Sequence, residues 1–141
     1  MQNYNTDHNL SDDRLFKRLE IASLGLLWMS EADFPWEVVC WQNTQDLNSQ
    51  ILLDRYNYSP NTEIKTTTLE SFLAPAITER EWHGSIERAM TQRYRMLKNL
   101  LQKNLQDIQV YLLGEVEIDV YILGKSDDNT IIGIATKIVE T

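Results

Sequence analysis

Three carboxylates, Glu115, Glu117 and Asp119, stand at alternate positions in the stretch LGEVEIDVYILG. In an extended strand, alternate side chains share a face and lie about 6.8 Å apart, since each residue rises ~3.4 Å. That separation suits an acid and a base flanking a glycosidic bond, and three hard oxygen donors are a start toward a divalent-ion site. A solvated or partner-facing sheet surface has the same pattern, and this reading is preferred. No histidine or aromatic cleft accompanies the acids, and the dense array of acids around a glycine that marks a Ca2+ loop is missing. His8 and His83 are too isolated to make an evident metal site. Cys40, the single cysteine, lies in an apolar stretch beside Trp41 and reads as a small buried hydrophobe rather than a nucleophile. With no Gly-rich phosphate loop and no G-x-S-x-G elbow, the sequence carries no catalytic constellation.

Other residues point to contact rather than catalysis. Trp82 sits in REWHGS, between the T-x-x-E of Thr78–Glu81, which reads as a capping box, and Gly84. It is either a core anchor or an exposed loop aromatic of the type that often dominates interface energy. Glu31, in WMSEADFP, reads as a cap carboxylate, because S-E-A-D resembles a capping sequence. At the other end, IIGIATKIV reads as a strand followed only by Glu140 and Thr141. A free carboxylate is thereby held close to the end of a sheet.

The elements that position these residues follow from periodicity. Ser11 opens a helix, with Asp12 and Asp13 in its first turn, where the dipole favours negative charge. Leu15, Leu19, Ala22 and Leu26 form its apolar stripe, and it is expected to end near Met29. WEVVCWQ, residues 36–42, is a strand that buries Trp36 and Trp41. Within 43–62, DLNSQILLDRY is open between a helical turn and a strand. A strand over 63–68 and a short helix over 69–76, stopped by Pro75, come next. A long helix runs from about Ser85 to Gln106, striped by Ile86, Met90, Tyr94, Leu97, Leu101 and Leu105. Residues 110–124 alternate as one strand: Val116, Ile118, Val120 and Ile122 face one way, and Glu115, Glu117, Asp119 and Tyr121 the other. The turn SDDN, 126–129, joins it to the last strand in a long hairpin. This order predicts one α/β (α+β) domain over 1–141. Helices pack on a mainly antiparallel or mixed sheet, and residues 1–10 form a flexible arm.

Composition bounds the function. The 141 residues are 43% hydrophobic and 24% charged, with a net charge of −8. A chain this long builds its own core without staples. One cysteine, no visible secretory signal and no apolar run near ~20 residues predict a soluble, cytoplasmic protein with no membrane contact. Strong acidity disfavours nucleic acid and favours a basic partner. The charge is uneven: residues 85–105 hold five basic groups and one acid.

The C-terminal block LGEVEIDVYILGKSDDNTIIGIATKIVET resembles the signature end of the bacterial nuclease A inhibitor family. The likeness extends through LGLLWMSEADFPWEV and TEREWHGSIE and covers nearly the whole chain, with residues 43–68 matching poorly. The resemblance implies a three-layer α-β-α sandwich of the pathogenesis-related-protein-1 (PR-1-like) type. It also implies a non-enzymatic protein that blocks a non-specific, Mg2+-dependent endonuclease acting on DNA and RNA. Glu31, Glu81, Trp82 and Thr141 are the partner-binding residues so implied, with Thr141 approaching the nuclease's Mg2+. The family pair is Asp–Trp, so Glu81 is one methylene longer. The resemblance implies no cofactor of its own, and a monomer that forms a 1:1 heterodimer. The other readings are a non-inhibitory interaction module of the same fold, and an enzyme using the Glu115/Glu117/Asp119 face.

Overall fold

The structure is a computed structural model that describes residues 10–28, 30, 32–44, 46–127 and 129–140. Among these residues the chain runs α1 (Leu10–Ser23), β1 (Glu37–Gln42), α2 (Ser49–Arg55), β2 (Ile64–Thr67), α3 (Leu69–Ile77), α4 (Ser85–Asn104), β3 (Gln106–Leu113), β4 (Glu117–Asp127) and β5 (Thr130–Val139). The expected arm falls on residues 1–9, outside the described residues, and Leu10 already belongs to α1. The strands form one five-stranded sheet in the order β1-β5-β4-β3-β2. Every pairing is antiparallel, so the mixed alternative does not hold. For β3, β4 and β5 the reason is connectivity: they follow one another through tight turns, and such turns join only antiparallel neighbours.

Alternation puts apolar side chains on both faces of the sheet. Val110, Val120, Ile122, Ile132 and Ile134 point to one face, where they meet Leu15 and Leu19 of α1, Leu73 of α3 and Leu97 and Leu101 of α4. Trp41, Tyr111, Tyr121, Leu123 and Ile131 point to the other, where they meet Leu52 and Leu53 of α2. Burial of this apolar area is the main favourable term in folding.

The ambiguous segment is a helix because two asparagines delimit it. Asn48 accepts the Ile51 N–H at 2.9 Å as N-cap. Past the C-cap, Asn57 takes the left-handed conformation (φ 58°), while the Tyr58 N–H reaches Leu53 O at 3.0 Å and the Asn57 N–H faces Asp54 O at 3.4 Å. Those two bonds satisfy the carbonyls that a helix end leaves over.

Other expectations are corrected. The first helix ends at Ser23, well before Met29: Gly25 adopts φ 77°, and Arg93 of α4 donates to Ala22 O (3.0 Å) and Leu24 O (2.6 Å), taking up the terminal carbonyls. α3 does not stop at Pro75 but carries it inside and runs to Ile77. Pro75 is exposed, so water can serve the carbonyl its missing N–H would have met. Thr78 is the C-cap of α3 rather than the start of a capping box. One half of such a box occurs later, where Glu87 Oε1 accepts the Gly84 N–H at 2.9 Å. The 110–124 stretch is two strands. At Gly114 (φ 116°) an added Cβ would lie 2.2 Å from Glu117 O, so only glycine makes this turn. Val116 is consequently exposed, and Glu115 leaves the strand ladder. Tyr121 is buried instead of sharing a solvated face. In α4, which ends at Asn104, the apolar stripe is buried from Tyr94 onward, whereas Ile86 is exposed.

Candidate protein-interaction face

The loop 78–84 leaves α3 and enters α4, and within it residues 80–83 make a tight turn. The His83 N–H donates to Arg80 O at 3.0 Å, and His83 Nδ1 accepts the Arg80 N–H at 3.1 Å. Glu81 and Trp82 are the two central residues of this turn and therefore project outward. Glu81 is exposed. Trp82 is 74% exposed, which excludes the core-anchor reading; its ring meets His83 edge-on at 4.3 Å. The other tryptophans behave otherwise: Trp36 and Trp41 are buried as expected, and half-buried Trp28 stacks on Phe72 with ring centres 4.4 Å apart.

Glu31 and Thr141 lie outside the described residues, but their flanks are placed. Ser30 Oγ donates to Ala32 O at 2.8 Å and faces the Val139 N–H at 3.4 Å. The Glu140 N–H donates to Val116 O at 2.9 Å. Ser30, next to Glu31 in sequence, is thus in contact with the end of β5. Trp28 links this region to Trp82. It lines a cleft of about 300 Å3 with Trp82, Leu27, Met90 and Tyr94, and a second of about 420 Å3 with Phe72, Glu115, Ile138 and Glu140.

Two arginines of α4 hold this arrangement. Arg93 clamps the carbonyls that open the loop toward Trp28. Arg95 donates to Ile77 O at 2.9 Å and meets Glu79 at 3.4 Å, fixing the start of the Trp82 loop. The excess of positive charge in 85–105 is in part internal scaffolding. Tyr94 adds a third tie, accepting from Trp36 Nε1 (3.0 Å) and donating to Leu27 O (2.6 Å).

Burial pushes the Tyr94 phenol up to about 12, while the Trp36 bond and the Arg93 charge oppose the rise. Burial also raises Tyr58, Tyr111 and Tyr121. A phenol whose folded value lies above its unfolded value of about 10 stabilises the fold fully below pH ~10. That contribution is lost as pH rises toward 12. From Tyr94 alone it amounts to about 3 kcal/mol, at 1.36 kcal/mol per unit. The tyrosinate absorbance of these four of the six tyrosines should therefore appear together with the loss of far-UV circular dichroism between about pH 10 and 12, whereas full tyrosinate absorbance with the circular dichroism intact would contradict it.

The Glu115/Glu117/Asp119 set is not one array. Glu115 is in the β3–β4 turn. Glu117 and Asp119 flank Lys137 Nζ at 3.4 and 3.9 Å, and the Tyr58 hydroxyl donates to Asp119 Oδ2 at 2.5 Å. Asp119, Lys137 and Glu37 border a cleft of about 340 Å3 on the α2 side of the sheet. Among the described residues no group of three or more His, Cys, Asp or Glu could hold a metal ion. No described helix is long and apolar enough to cross a membrane. Cys40 is half-buried and packs against the core, in keeping with its hydrophobic reading.

Sequence reasoning missed Trp28, Met90 and Glu87 as neighbours of Trp82. Glu87 lies three residues after Gly84, whose N–H its carboxylate accepts. Its carboxyl is held below the usual range, chiefly by its own backbone N–H and then by that of Gly84.

The family model for nuclease A inhibitor-like proteins matches residues 13–141. The chain belongs to the nuclease A inhibitor-like family. The match spans Glu31, the Glu81–Trp82 turn and the end of β5, so all the positions singled out for contact lie inside the part shared with nuclease A inhibitor-like proteins. It also runs through α2, where the motif likeness is poor. No curated protein matches the chain at a significant level.

Proposed function

We propose that this protein inhibits a non-specific, Mg2+-dependent, sugar-nonspecific endonuclease by filling its active site with Glu31, Glu81, Trp82 and Thr141. The family match over residues 13–141 carries this reading. The geometry supports it: Glu81 and Trp82 project from a hydrogen-bonded turn, and the bond between Ser30 and Val139 joins the flanks of Glu31 and Thr141. Thr141 contributes hard oxygen to the nuclease's Mg2+. The inhibitor carries no cofactor and no catalytic residue of its own. It acts in the cytoplasm as a monomer forming a 1:1 heterodimer. The PR-1-like α-β-α layering belongs to the same proposal, and the apolar clusters on both sheet faces support it. A net charge of −8 steers encounter with a basic active-site face.

The test is a titration of such a nuclease on DNA and RNA, with the chain as it stands and with a tag appended after Thr141. Activity should vanish at equimolar inhibitor, more sharply at low salt, and the tagged chain should be weaker by at least about tenfold. Equal inhibition by the tagged chain rejects the metal bridge. An unaltered titration with Glu31→Ala removes Glu31 from the contact. Failure to inhibit, with capture of an unrelated protein, favours the non-inhibitory module.

A further inference from the structure

The cleft beside Trp82 has a mixed lining. Trp28, Trp82 and Tyr94 supply aromatic surface, Leu27 and Met90 apolar surface, and Glu87 a carboxylate. No lysine or arginine lines it, and its one histidine, His83, accepts the Arg80 N–H at Nδ1. Trp82 is 74% and Leu27 44% exposed, so the cleft opens to solvent where a partner would meet it. Three of its lining side chains are held in place: Trp28 is stacked on Phe72, Tyr94 is bonded to Trp36 and Leu27 O, and Glu87 is bonded to the Gly84 N–H.

We propose that this cleft receives an arginine side chain of the inhibited nuclease, its guanidinium lying between the Trp82 ring and the Glu87 carboxylate and its methylene stem along Trp28 and Met90. The inference rests on the reading that the Trp82 face is what the nuclease meets. Three arguments select the occupant. A purely apolar side chain would cover Glu87 and strip water from its charge with only its own and the Gly84 backbone N–H as partners and no countercharge, which is unfavourable. An ammonium could pair with Glu87 but is a compact, strongly hydrated point charge. A guanidinium is planar and weakly hydrated, so it can stack on an indole and donate to a carboxylate at once. A protein that handles nucleic acid must carry such residues on its phosphate-binding face, and an inhibitor of net charge −8 is complementary to that face. The N-terminal dipole of α4 opposes a cation here, but it amounts to about half a unit charge against the full charge of Glu87.

The experiment uses N-acetyl-arginine amide as probe, N-acetyl-norleucine amide as apolar control, and the intact chain as wild type and as Glu87→Gln. Glutamine retains an oxygen for the Gly84 N–H, so the helix cap survives while the charge is removed. The indole N–H resonances of Trp28 and Trp82 report binding. The arginine probe should shift both saturably and the norleucine control should not. Glu87→Gln should weaken the probe, and in the nuclease titration the inhibition, by about tenfold. Equal shifts from norleucine overturn the proposal, as does the absence of arginine binding in a protein that still inhibits. Saturable arginine binding by a protein that inhibits no nuclease supports the cleft and overturns the proposed function alone.

Discussion

Trp82→Ala should weaken inhibition of the target nuclease by roughly 30-fold or more, since a central exposed aromatic truncated at an interface loses about 2 kcal/mol or more. The same substitution should leave the thermal midpoint nearly unchanged. The indole is 74% exposed, and its one ring neighbour among the described residues is His83, so the fold loses little apolar burial without it. Dissociation should accelerate more than association slows, because the ring contributes packing rather than charge. The comparison with Trp36→Ala is informative. Trp36 is buried and bonded to Tyr94, and its loss should lower stability by about 3–5 kcal/mol. A Trp82→Ala protein that inhibits like wild type would remove the aromatic turn from the contact.

Gly133→Ala should be the most damaging single-methyl change in the sheet. Gly133 sits in β5 between two neighbours, opposite Val39 on one side and Leu123 on the other. An added Cβ would fall 1.8 Å from Ile122 O and 2.8 Å from Ile122 C. Both are backbone atoms of β4, so no side-chain rotation relieves the clash and the two strands must part. Overpacking in a core costs 1–3 kcal/mol even where side chains can move, so about 3 kcal/mol or more is expected here. For a chain of this length that lowers the thermal midpoint by roughly 10 °C. Calorimetry of the variant decides it, and a midpoint within a degree or two of wild type would show that the sheet can absorb the methyl group. Because β5 leads to Val139, whose N–H faces Ser30 Oγ, a variant that stays folded should also inhibit less well.

Much of the architecture was legible in local patterns. The stripe of Tyr94, Leu97, Leu101 and Leu105 is buried as its period requires, and WEVVCWQ is the strand its β-branched and aromatic residues suggest. Capping could also have been read further: Asn48 and Asn57 delimit α2, and Glu87 lies three residues past Gly84. The candidate face was legible in another sense. The motif likeness named Glu81 and Trp82, yet residue type alone could not tell whether an indole in REWHGS points inward.

What the amino-acid order by itself determined is the set of segments with their own periodicity, the balance of charge and the family to which those segments belong, because such features depend on neighbours a few residues apart. Tertiary structure alone decided that α1 stops at Ser23, since the arginine that takes its final carbonyls lies 71 residues away in α4. It decided that Glu115 parts from Glu117 and Asp119, through a glycine turn closed against Glu63 O. It also decided that Trp28 is packed on Phe72 while Trp82 stays in solvent beside a lined cleft. Each of these rests on bonds and packing between distant segments, whose partners are chosen only when the sheet and its helices come together.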